Sequence, residues 1–498
     1  MSEEKTRTIR PWLLVVVAVV AAGVTFAITW MITSISDRKA EEKVSPNLVV
    51  ALTENDTDPA IWGQNYPIEY ESYLKTSEFT DDGHAKQVMK TPSTVADDPE
   101  TKDVNEGDPR EWVTSSKLQE DPRLVTLWSG YAFAKDYGHL RGHAYMLIDQ
   151  RETLRVRVVN QPGACLNCHA TMPEVYNELG NGDMMAGFAA VNKMPYSDAT
   201  THASGPIACI DCHDPATMEL RITRPALITG LQALKASQGI ADFDVNRDAT
   251  HEEMRTYVCA QCHVEYYFSS PDPNDKANTL TFPWKYGNDI DDTWKYYTEI
   301  GFTDFTSSIS GAKVVKAQHP EFEAWTAGVH AENGVSCADC HMSYTRDGAQ
   351  KVSNHQVTSP MTDINGTCGT CHTSSEEVIQ ERVDTIQSRF IESRDRTLDS
   401  VTTLINMIKE AKDSGSATEE QIAKAQEYQN FASYYVDYAY SENSFGFHAP
   451  DYFQRMLSQS LDASRKGQLV LLGVSDDKLA PSDVAAANTT KLEEAGLN

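Results

Sequence analysis

Residues 165–169 read Cys-Leu-Asn-Cys-His, and this short pattern decides the fold because it occurs five times in the chain. Each copy has two cysteines separated by two residues, with a histidine directly after the second cysteine. Two thiols at this spacing can bond the two vinyl groups of one haem, and the histidine then places an imidazole under the iron. The five copies are Cys165-Leu-Asn-Cys168-His169, Cys209-Ile-Asp-Cys212-His213, Cys259-Ala-Gln-Cys262-His263, Cys337-Ala-Asp-Cys340-His341 and Cys368-Gly-Thr-Cys371-His372.

The alternatives for such cysteines are zinc sites, redox dithiols and disulfides. The five copies use all 10 cysteines of the chain. A disulfide framework would not place a histidine after every second cysteine, and paired zinc half-motifs would follow a more regular spacing. The pattern therefore predicts five covalently attached haem c groups. Because covalent haem attachment belongs to the exported side of the membrane, we expect the body on the periplasmic face.

The composition narrows the function classes. The 498 residues include 43 Lys plus Arg and 72 Asp plus Glu, which gives a formal net charge of −29. Phosphate binding requires a basic face, so nucleic acid is excluded as an expected partner. Strand signals are sparse, and the best is Leu-Arg-Val-Arg-Val-Val at 154–159. The predicted fold class is therefore mainly α, with little β: a multihaem cytochrome c wrapped around a haem cluster.

The N-terminal segment 12–35 predicts a membrane anchor. Residues 12–32 are 21 consecutive residues without a charge, which is long enough to span a bilayer as a helix. A secretory signal peptide is the alternative, but its apolar core would usually be shorter. An uncleaved anchor would leave residues 1–11 in the cytoplasm and hold the protein at the membrane.

The remaining chain divides by composition. Residues 36–114 are expected to be linker and an acidic surface insertion, and residues 115–373 carry all the haem motifs. Residues 374–475 carry apolar residues at helical spacing and are expected to pack as long helices of the same domain. Residues 476–498 are expected to be a flexible tail.

Three helices are predicted in the C-terminal region. The first runs from about Val378 to Ile408 and is broken by Gly415 and Ser416. The second covers about 422–438, and the third covers about 452–472 and ends at Gly473.

The histidine count leaves the reactivity of the haems open. Five of the 14 histidines belong to the motifs, and nine remain: His84, His139, His143, His202, His251, His319, His330, His355 and His448. If five of these were distal ligands, every iron would be saturated and the protein would be an electron carrier. If only four were, one iron would keep an open face for a small molecule.

Three strings resemble the pentahaem cytochrome c nitrite reductases, the ammonia-forming family. They are Phe-Ala-Lys-Asp-Tyr-Gly-His-Leu-Arg-Gly-His-Ala-Tyr-Met-Leu-Ile-Asp-Gln-Arg-Glu-Thr-Leu-Arg at 133–155, Cys-Ala-Gln-Cys-His-Val-Glu-Tyr-Tyr-Phe at 259–268, and Lys-Ala-Gln-His-Pro-Glu-Phe-Glu-Ala-Trp-Thr-Ala-Gly-Val-His at 316–330. Together with the order of the haem motifs, the resemblance covers roughly residues 115–460.

The resemblance implies a distal ligand for four haems. His355 is similar to the ligand of the second haem, His143 to that of the third, His448 to that of the fourth and His330 to that of the fifth. The first haem, on Cys165 and Cys168, would then be open.

The resemblance also implies catalytic and calcium residues. Arg155, Tyr266 and His319 match the family's active-site trio. Glu265 and Gln318 match calcium ligands through their side chains, and Tyr266 and Lys316 through their backbone carbonyls. The histidines without a match are expected at the surface, although His139 could compete with His143 for the same iron; they are His84, His139, His202 and His251.

One residue departs from the commoner family pattern. The first haem motif usually ends in lysine, whereas here it ends in His169. Some members carry histidine at this place, so the chain resembles a variant of the family. A lysine must lose a proton before it can ligate iron, and its reference pKa is about 10.4. A neutral imidazole already carries a free nitrogen lone pair and needs no such step.

The expected function is six-electron reduction of nitrite to ammonium at the open haem. Arg155 would attract the anion, and His319 would titrate near neutral pH and supply protons. The family's usual partners imply a homodimer and a membrane-bound multihaem quinol-oxidising cytochrome as electron donor. The alternatives are a non-enzymatic pentahaem electron carrier, or a reductase that prefers hydroxylamine or sulfite.

Overall fold

The structure is a computed structural model that describes residues 12, 16, 19–26, 28–31, 48–81, 83–90, 108, 110–159, 161–270, 278–348 and 350–479. Among these residues no helix is long and apolar enough to cross a membrane. Of the predicted anchor at 12–35, residues 12, 16, 19–26 and 28–31 are described, whereas the predicted cytoplasmic segment 1–11 and most of the predicted tail at 476–498 lie outside the described residues.

The described chain is built mainly of short helices that precede three long ones, which confirms the mainly α prediction. The short helices span Pro59–Gly63, Pro67–Leu74, Lys117–Glu120, Arg123–Leu127, Met146–Glu152, Leu154–Val158, Leu166–His169, Pro173–Leu179, Met184–Lys193, Tyr196–Ala199, Cys209–Cys212, Pro225–Ser237, Val245–Asp248, His251–Ala260, Ile290–Ile300, Glu321–Thr326, Val329–Glu332 and Cys337–His341.

The three long C-terminal helices match the sequence prediction. They span Glu376–Ser414, Glu419–Ser441 and Pro450–Leu471. The first ends at Gly415, whose φ of 67° is the left-handed conformation that glycine adopts most readily. Thr418 and Gln421 form a capping box that starts the second helix.

The long helices pack on one another and on the body. Their shared core includes Phe390, Leu398, Val401, Tyr434 and Phe453, all nearly inaccessible to solvent. The same apolar cluster includes Leu124, Tyr267 and Val315, so the C-terminal helices pack against the part of the chain that carries the haem motifs.

Strands are confined to four two-stranded antiparallel hairpins in the described chain. Their paired strands are Gln87–Met89 with Trp112–Thr114, Tyr267–Ser269 with Thr279–Thr281, Phe305–Thr306 with Lys313–Val314, and Tyr344–Asp347 with Gln350–Ser353.

The strand predicted at 154–159 is wrong, because Leu154–Val158 is a helix. The Asp136 carboxylate accepts hydrogen bonds from the Leu154 backbone N–H and the Thr153 hydroxyl, both at 2.8 Å. A partner 18 residues away in sequence thus satisfies a free N–H of the first helical turn. This contact overrides the β preference of the valines, which is weak and context-dependent.

Part of the segment predicted as linker is packed body. The Pro59–Gly63 helix carries Trp62, which is 1% exposed and packs with Ala208 and Ile210. The Trp62 indole also donates to the Asp56 carbonyl at 2.7 Å. Residues 56–62 therefore contribute to the core beside the second haem motif. The polar composition of the segment 36–114 did not indicate this packing.

Candidate haem-binding and catalytic site

The haem motifs present their thiols on short helical turns. The motif cysteines at 168, 209 and 337, for example, lie in the Leu166–His169, Cys209–Cys212 and Cys337–His341 helices. Residues three apart lie on the same face of a helix, so each turn directs both thiols of a motif to one side. None of the 10 cysteines forms a disulfide, which leaves all of them available for thioether bonds.

Arg224 is a buried residue that ties the first motif to the second. Its Nε donates to the Asn167 carbonyl at 2.7 Å, and its Nη2 donates to the Ala170 carbonyl at 2.9 Å. Its Nη1 forms an ion pair with Asp211 at 2.7 Å, with side chains 1% and 0% exposed. Asp211 lies inside the second motif, so one guanidinium fixes the spacing of two haem-binding turns.

The third motif is attached to the same network. The Gln261 side-chain amide donates to the Asp211 carbonyl at 3.2 Å, and its oxygen accepts from the Thr223 N–H at 2.8 Å. The Cys262 thiol contacts the Asn167 carbonyl at 3.8 Å and lies within hydrogen-bond reach of the Cys168 thiol. The first and third motifs therefore lie side by side.

Three of the predicted ligand pairs face each other as imidazole rings. The ring centroids are 6.2 Å apart for His213 and His355, 6.3 Å for His330 and His372, and 6.3 Å for His341 and His448. A metal ion bound by two imidazole nitrogens at about 2 Å each separates the ring centres by roughly 6 Å. The space between these rings fits a haem iron.

Three of these six imidazoles are also oriented by their second ring nitrogen. The Nδ1 atoms of His213, His341 and His355 lie 2.9 Å from the backbone carbonyls of Met218, Thr358 and Ser353, respectively. A carbonyl partner makes Nδ1 the protonated nitrogen and leaves the Nε2 lone pair for a metal. This arrangement is what a ligand histidine requires.

His143 and His169 are held in buried surroundings. Burial, with a smaller contribution from His263, lowers the pKa of His143 to about 4. Burial likewise lowers the pKa of His169 to about 4. His169 Nδ1 lies 3.2 Å from the Met146 carbonyl, which again leaves Nε2 for a metal.

The members of the predicted catalytic trio lie near the first motif. The Arg155 guanidinium is close enough to lower the pKa of His169, after the larger effect of burial. Burial raises the pKa of Tyr266 well above its usual value, with Cys165 as the next cause, so this phenol also lies beside the first motif. Burial lowers the pKa of His319 well below its usual value, and His169 is one of the smaller causes, so this imidazole also lies near the first motif.

Arg155 is held by its surroundings. Its Nη1 donates to the Asp136 carbonyl at 2.7 Å, and its guanidinium lies 4.4 Å from the centre of the Phe133 ring. Because Asp136 also holds the start of the Leu154–Val158 helix, one residue fixes both the backbone and the side chain of Arg155.

The loop with His319 is paired with the segment after the third motif. The His319 N–H donates to the Val264 carbonyl at 3.3 Å, and the Phe322 N–H donates to the His263 carbonyl at 3.1 Å. The expectation that His319 titrates near neutral pH is wrong. Burial lowers its pKa well below 6.5, and the charge of His263 adds to this effect. His319 is therefore a neutral hydrogen-bonding group in this structure.

The predicted calcium ligands converge around one buried carboxylate. Glu265 accepts from the Gln318 N–H at 2.6 Å and from the Tyr297 hydroxyl at 2.9 Å. The Gln318 side-chain amide lies 3.2 Å from the Lys316 carbonyl. Burial raises the pKa of Glu265 well above 4.5, an effect that a bound cation would oppose.

The donor set near Glu265 consists of oxygens, which calcium prefers. Within the described ranges, no three or more His, Cys, Asp or Glu side chains gather as a metal cage. The predicted site has one carboxylate and neutral oxygens, so it depends on backbone carbonyls rather than on an acidic cluster. The Lys316 ammonium is directed elsewhere, to Asp437 at 3.0 Å.

The unmatched histidines are less uniformly at the surface than expected. His251 is 72% exposed, as predicted for a surface residue. His84 instead stacks on Phe445 with ring centres 3.7 Å apart. His139 is only 12% exposed and its Nε2 lies 2.7 Å from Glu120, a pairing that competes with any role as an iron ligand.

Two structural residues were missed by the sequence analysis. Arg224 and Glu442 are buried charged residues that contact haem motifs or predicted ligands. Arg224 lies 12 residues after Cys212 and Glu442 lies six residues before His448, and neither belongs to a recognisable pattern. Their short distance in sequence from these histidine and cysteine positions was the available signal.

The motifs, the free thiols and the facing imidazoles on a mainly α body define a c-type cytochrome with covalently bound haem. The chain belongs to the cytochrome c552 family, whose family model matches residues 58–497. It is 35% identical over 494 residues to cytochrome c-552 of Parabacteroides distasonis, covering 96% of this chain and 90% of the relative. It is 34% identical over 503 residues to cytochrome c-552 of Bacteroides fragilis, covering 99% and 92%.

A solved structure has the same fold. It is the cytochrome c nitrite reductase of Desulfovibrio desulfuricans, described as a catalytic subunit with two calcium sites. The TM-score is 0.69 and the sequence identity is 28%, over 87% of this chain and 90% of that chain. The family and this likeness support an oxidoreductase.

Proposed function

We propose that the protein is an ammonia-forming cytochrome c nitrite reductase with five haems, four of them bis-histidine and one open. The balanced reaction is one nitrite plus six electrons and eight protons, giving one ammonium and two waters. The observation that carries the proposal is the surroundings of the first motif: His169 Nδ1 lies 3.2 Å from the Met146 carbonyl, which leaves Nε2 for an iron, and the Arg155 guanidinium is held by the Asp136 carbonyl at 2.7 Å. The solved relative is a cytochrome c nitrite reductase, which supports the same reaction.

Bound haem would supply the one-electron redox chemistry and, at the first motif, an open coordination position. The proposed haem ligands are His169 alone for that iron, and the pairs His213 with His355, His263 with His143, His341 with His448, and His372 with His330. In the three pairs that face each other, the ring separation supports the assignment.

Arg155 binds and orients the anionic substrate in this proposal. The protein carries a net charge of −29, so nitrite needs a local cation to enter the site. The guanidinium is held by the Asp136 carbonyl and by Phe133, which preorganises it before substrate arrives. A permanent charge of this kind does not depend on pH.

Tyr266 and His319 hold protons at the substrate. The buried phenol of Tyr266 keeps its O–H because its pKa lies well above 10. His319 is neutral in its buried position, so one ring nitrogen donates and the other accepts. A developing negative charge on substrate would favour the protonated form of His319 and so draw a proton from solvent.

The proposed calcium site links the substrate face to the rest of the fold. Glu265 and Gln318 flank Tyr266 and His319 directly in sequence, and they contact each other at 2.6 Å. A cation bound by these oxygens and by the Tyr266 and Lys316 carbonyls would stiffen both chain segments that form the site. It would also add positive charge near the anion.

A saturated electron carrier is the second candidate, and the spin state of the ferric protein separates the two. An open haem predicts a high-spin component in the ferric electron paramagnetic resonance (EPR) spectrum, whereas five bis-histidine haems would be entirely low-spin. Hydroxylamine and sulfite are the competing substrates, and kcat/KM measured for each of them and for nitrite ranks the three.

The catalytic roles are tested with the variants R155M and R247M. Arg247 is exposed and pairs with its neighbour Asp248 at 2.6 Å, so it is a matched arginine away from the haem motifs. R155M is expected to lower kcat/KM for nitrite at least a hundredfold at unchanged haem content, and R247M is expected to have no effect. Equal activity of R155M and the parent would contradict the proposed site.

The cellular setting is also a proposal. We expect a homodimer at the periplasmic face, held by residues 12–35 and reduced by a membrane-bound multihaem quinol-oxidising cytochrome. Sedimentation of the purified holoprotein tests the dimer. N-terminal sequencing of the membrane fraction tests the anchor, and a mature start beyond about residue 36 would contradict it.

A further inference from the structure

His448 has a different second partner from three of the other facing imidazoles, His213, His341 and His355. Its Nδ1 lies 2.6 Å from Glu442 Oε1, and the Glu442 side chain is 0% exposed. The corresponding nitrogens of His213, His341 and His355 lie 2.9 Å from backbone carbonyls. Among these four imidazoles, only His448 is placed against a carboxylate.

Glu442 is fixed in this position by the chain that leads to His448. Its Oε2 accepts from the Ser444 N–H at 3.0 Å and from the Ser444 hydroxyl at 2.8 Å. The Ser444 hydroxyl oxygen in turn accepts from the His448 N–H at 3.0 Å. The loop thus holds the carboxylate and the imidazole in one rigid unit.

A carboxylate on the outer nitrogen of a ligand imidazole changes the metal that the imidazole binds. Its negative charge beside the Nδ1 edge of the ring makes Nε2 a stronger electron donor. Inside a protein the added negative charge is screened less than in water, so it stabilises the ferric state against the ferrous state. A backbone carbonyl has the same geometry but carries no net charge.

We propose that Glu442 is a positioning residue that lowers the reduction potential of the haem held by His341 and His448. The inference rests on the ligand pair of the proposed function. It assigns this haem a lower potential than an otherwise equal haem whose imidazoles contact only carbonyls. A haem of low potential is mostly oxidised, so it would pass electrons on to its neighbours instead of retaining them. The proposed cluster would therefore keep conducting towards the first haem.

Glu321 provides an internal comparison. Its carboxylate lies 4.0 Å from His263 Nδ1, which is too long for a direct hydrogen bond. One of its oxygens accepts from the Asn443 side chain, directly after Glu442 in the chain. We therefore expect the charge of Glu321 to act on the neighbouring haem more weakly than Glu442 acts on its own.

The test is an EPR-monitored redox titration of the holoprotein and its E442Q variant. E442Q is expected to raise the equilibrium constant for reduction of one low-spin haem at least tenfold. For a one-electron couple this is an upward shift of about 59 mV in its reduction potential. The other haems are expected to stay unchanged, and E321Q is expected to give a smaller shift in a different haem. Unchanged potentials in E442Q would overturn the inference.

Glu120 offers a matched control. Its Oε2 lies 2.7 Å from His139 Nε2, a distance similar to that between Glu442 and His448, but His139 is not a proposed ligand. E120Q is expected to leave every potential unchanged, and a shift equal to that of E442Q would overturn the inference.

A second variant keeps the test valid if E442Q incorporates haem poorly. E442D keeps the charge but shortens the side chain, and a shift smaller than that of E442Q is expected at full haem content. A shift in E442D as large as the change produced by removing the charge would contradict the electrostatic argument. Nitrite turnover is measured in parallel. A parent holoprotein that does not reduce nitrite would reject the proposed function, whereas an unshifted potential in E442Q would reject only the role of Glu442.

Discussion

Replacing Arg224 with methionine should destabilise the junction of the first three haem motifs. The substitution keeps much of the side-chain volume but leaves Asp211 buried without its partner, along with the carbonyls of Asn167 and Ala170. Breaking a fully buried ion pair in this way costs about 3–5 kcal/mol. Asp211 keeps two backbone donors, from Met172 and Ala208, which places the expected cost at the lower end of that range.

The assay is thermal unfolding of the haem-loaded protein, followed by circular dichroism. In a large domain about 1 kcal/mol corresponds to roughly 2 °C, so R224M is expected to melt about 6 °C below the parent. The double variant R224M/D211N removes the orphaned charge as well and is expected to melt above R224M. The exposed Arg247 again provides the control, and R247M is expected to change stability by less than about 1 kcal/mol. If R224M melted within 2 °C of the parent, or if the double variant were less stable than R224M, the argument would be refuted.

Three further predictions follow from other parts of the structure. H355A should convert one low-spin haem to a high-spin, ligand-binding haem, as seen in the ferric EPR spectrum, and an unchanged spectrum would contradict its assignment as a ligand. G328A should lower the melting temperature and disturb the signal of the haem at His448, because a Cβ at Gly328 would lie 2.0 Å from the His448 carbonyl oxygen. G205A, where a Cβ meets nothing within 4 Å, should have no effect, and equal melting of the two variants would count against this packing. D304N should flatten the dependence of stability on pH: burial raises the pKa of Asp304 to about 7, whereas an unfolded aspartate titrates near 4. The folded state therefore binds the extra proton, and the stabilisation is complete below about pH 4 and is lost as the pH rises through 7. Melting curves from pH 4 to 8 check this, and parallel curves for D304N and the parent would rule it out.

The sequence predicted most reliably what local rules determine. The three long helices were placed closely because apolar residues recur along them at helical spacing and because Gly415 ends the first. The haem motifs were identified because five residues suffice to specify the attachment chemistry. The predicted pairs of ligand histidines depended on the family resemblance, and the facing rings agree with three of them.

What the sequence did not indicate depends on contacts between distant residues. The helix at Leu154–Val158 is held by Asp136, and the burial of Trp62 depends on Ala208 and Ile210. The low pKa of His319 has the same origin, since burial is a property of the folded chain and not of the residue. No local pattern signals contacts of this kind.

The central claim, nitrite reduction to ammonium, is tested most directly by reducing ¹⁵N-nitrite with the purified holoprotein and a reduced dye, and counting both the electrons consumed and the ¹⁵N-ammonium formed. We expect six electrons per ammonium, with His169 as the protein ligand of the first haem. Haem-loaded protein that consumes no electrons on addition of nitrite, or that releases a partly reduced nitrogen product instead of ammonium, would contradict it.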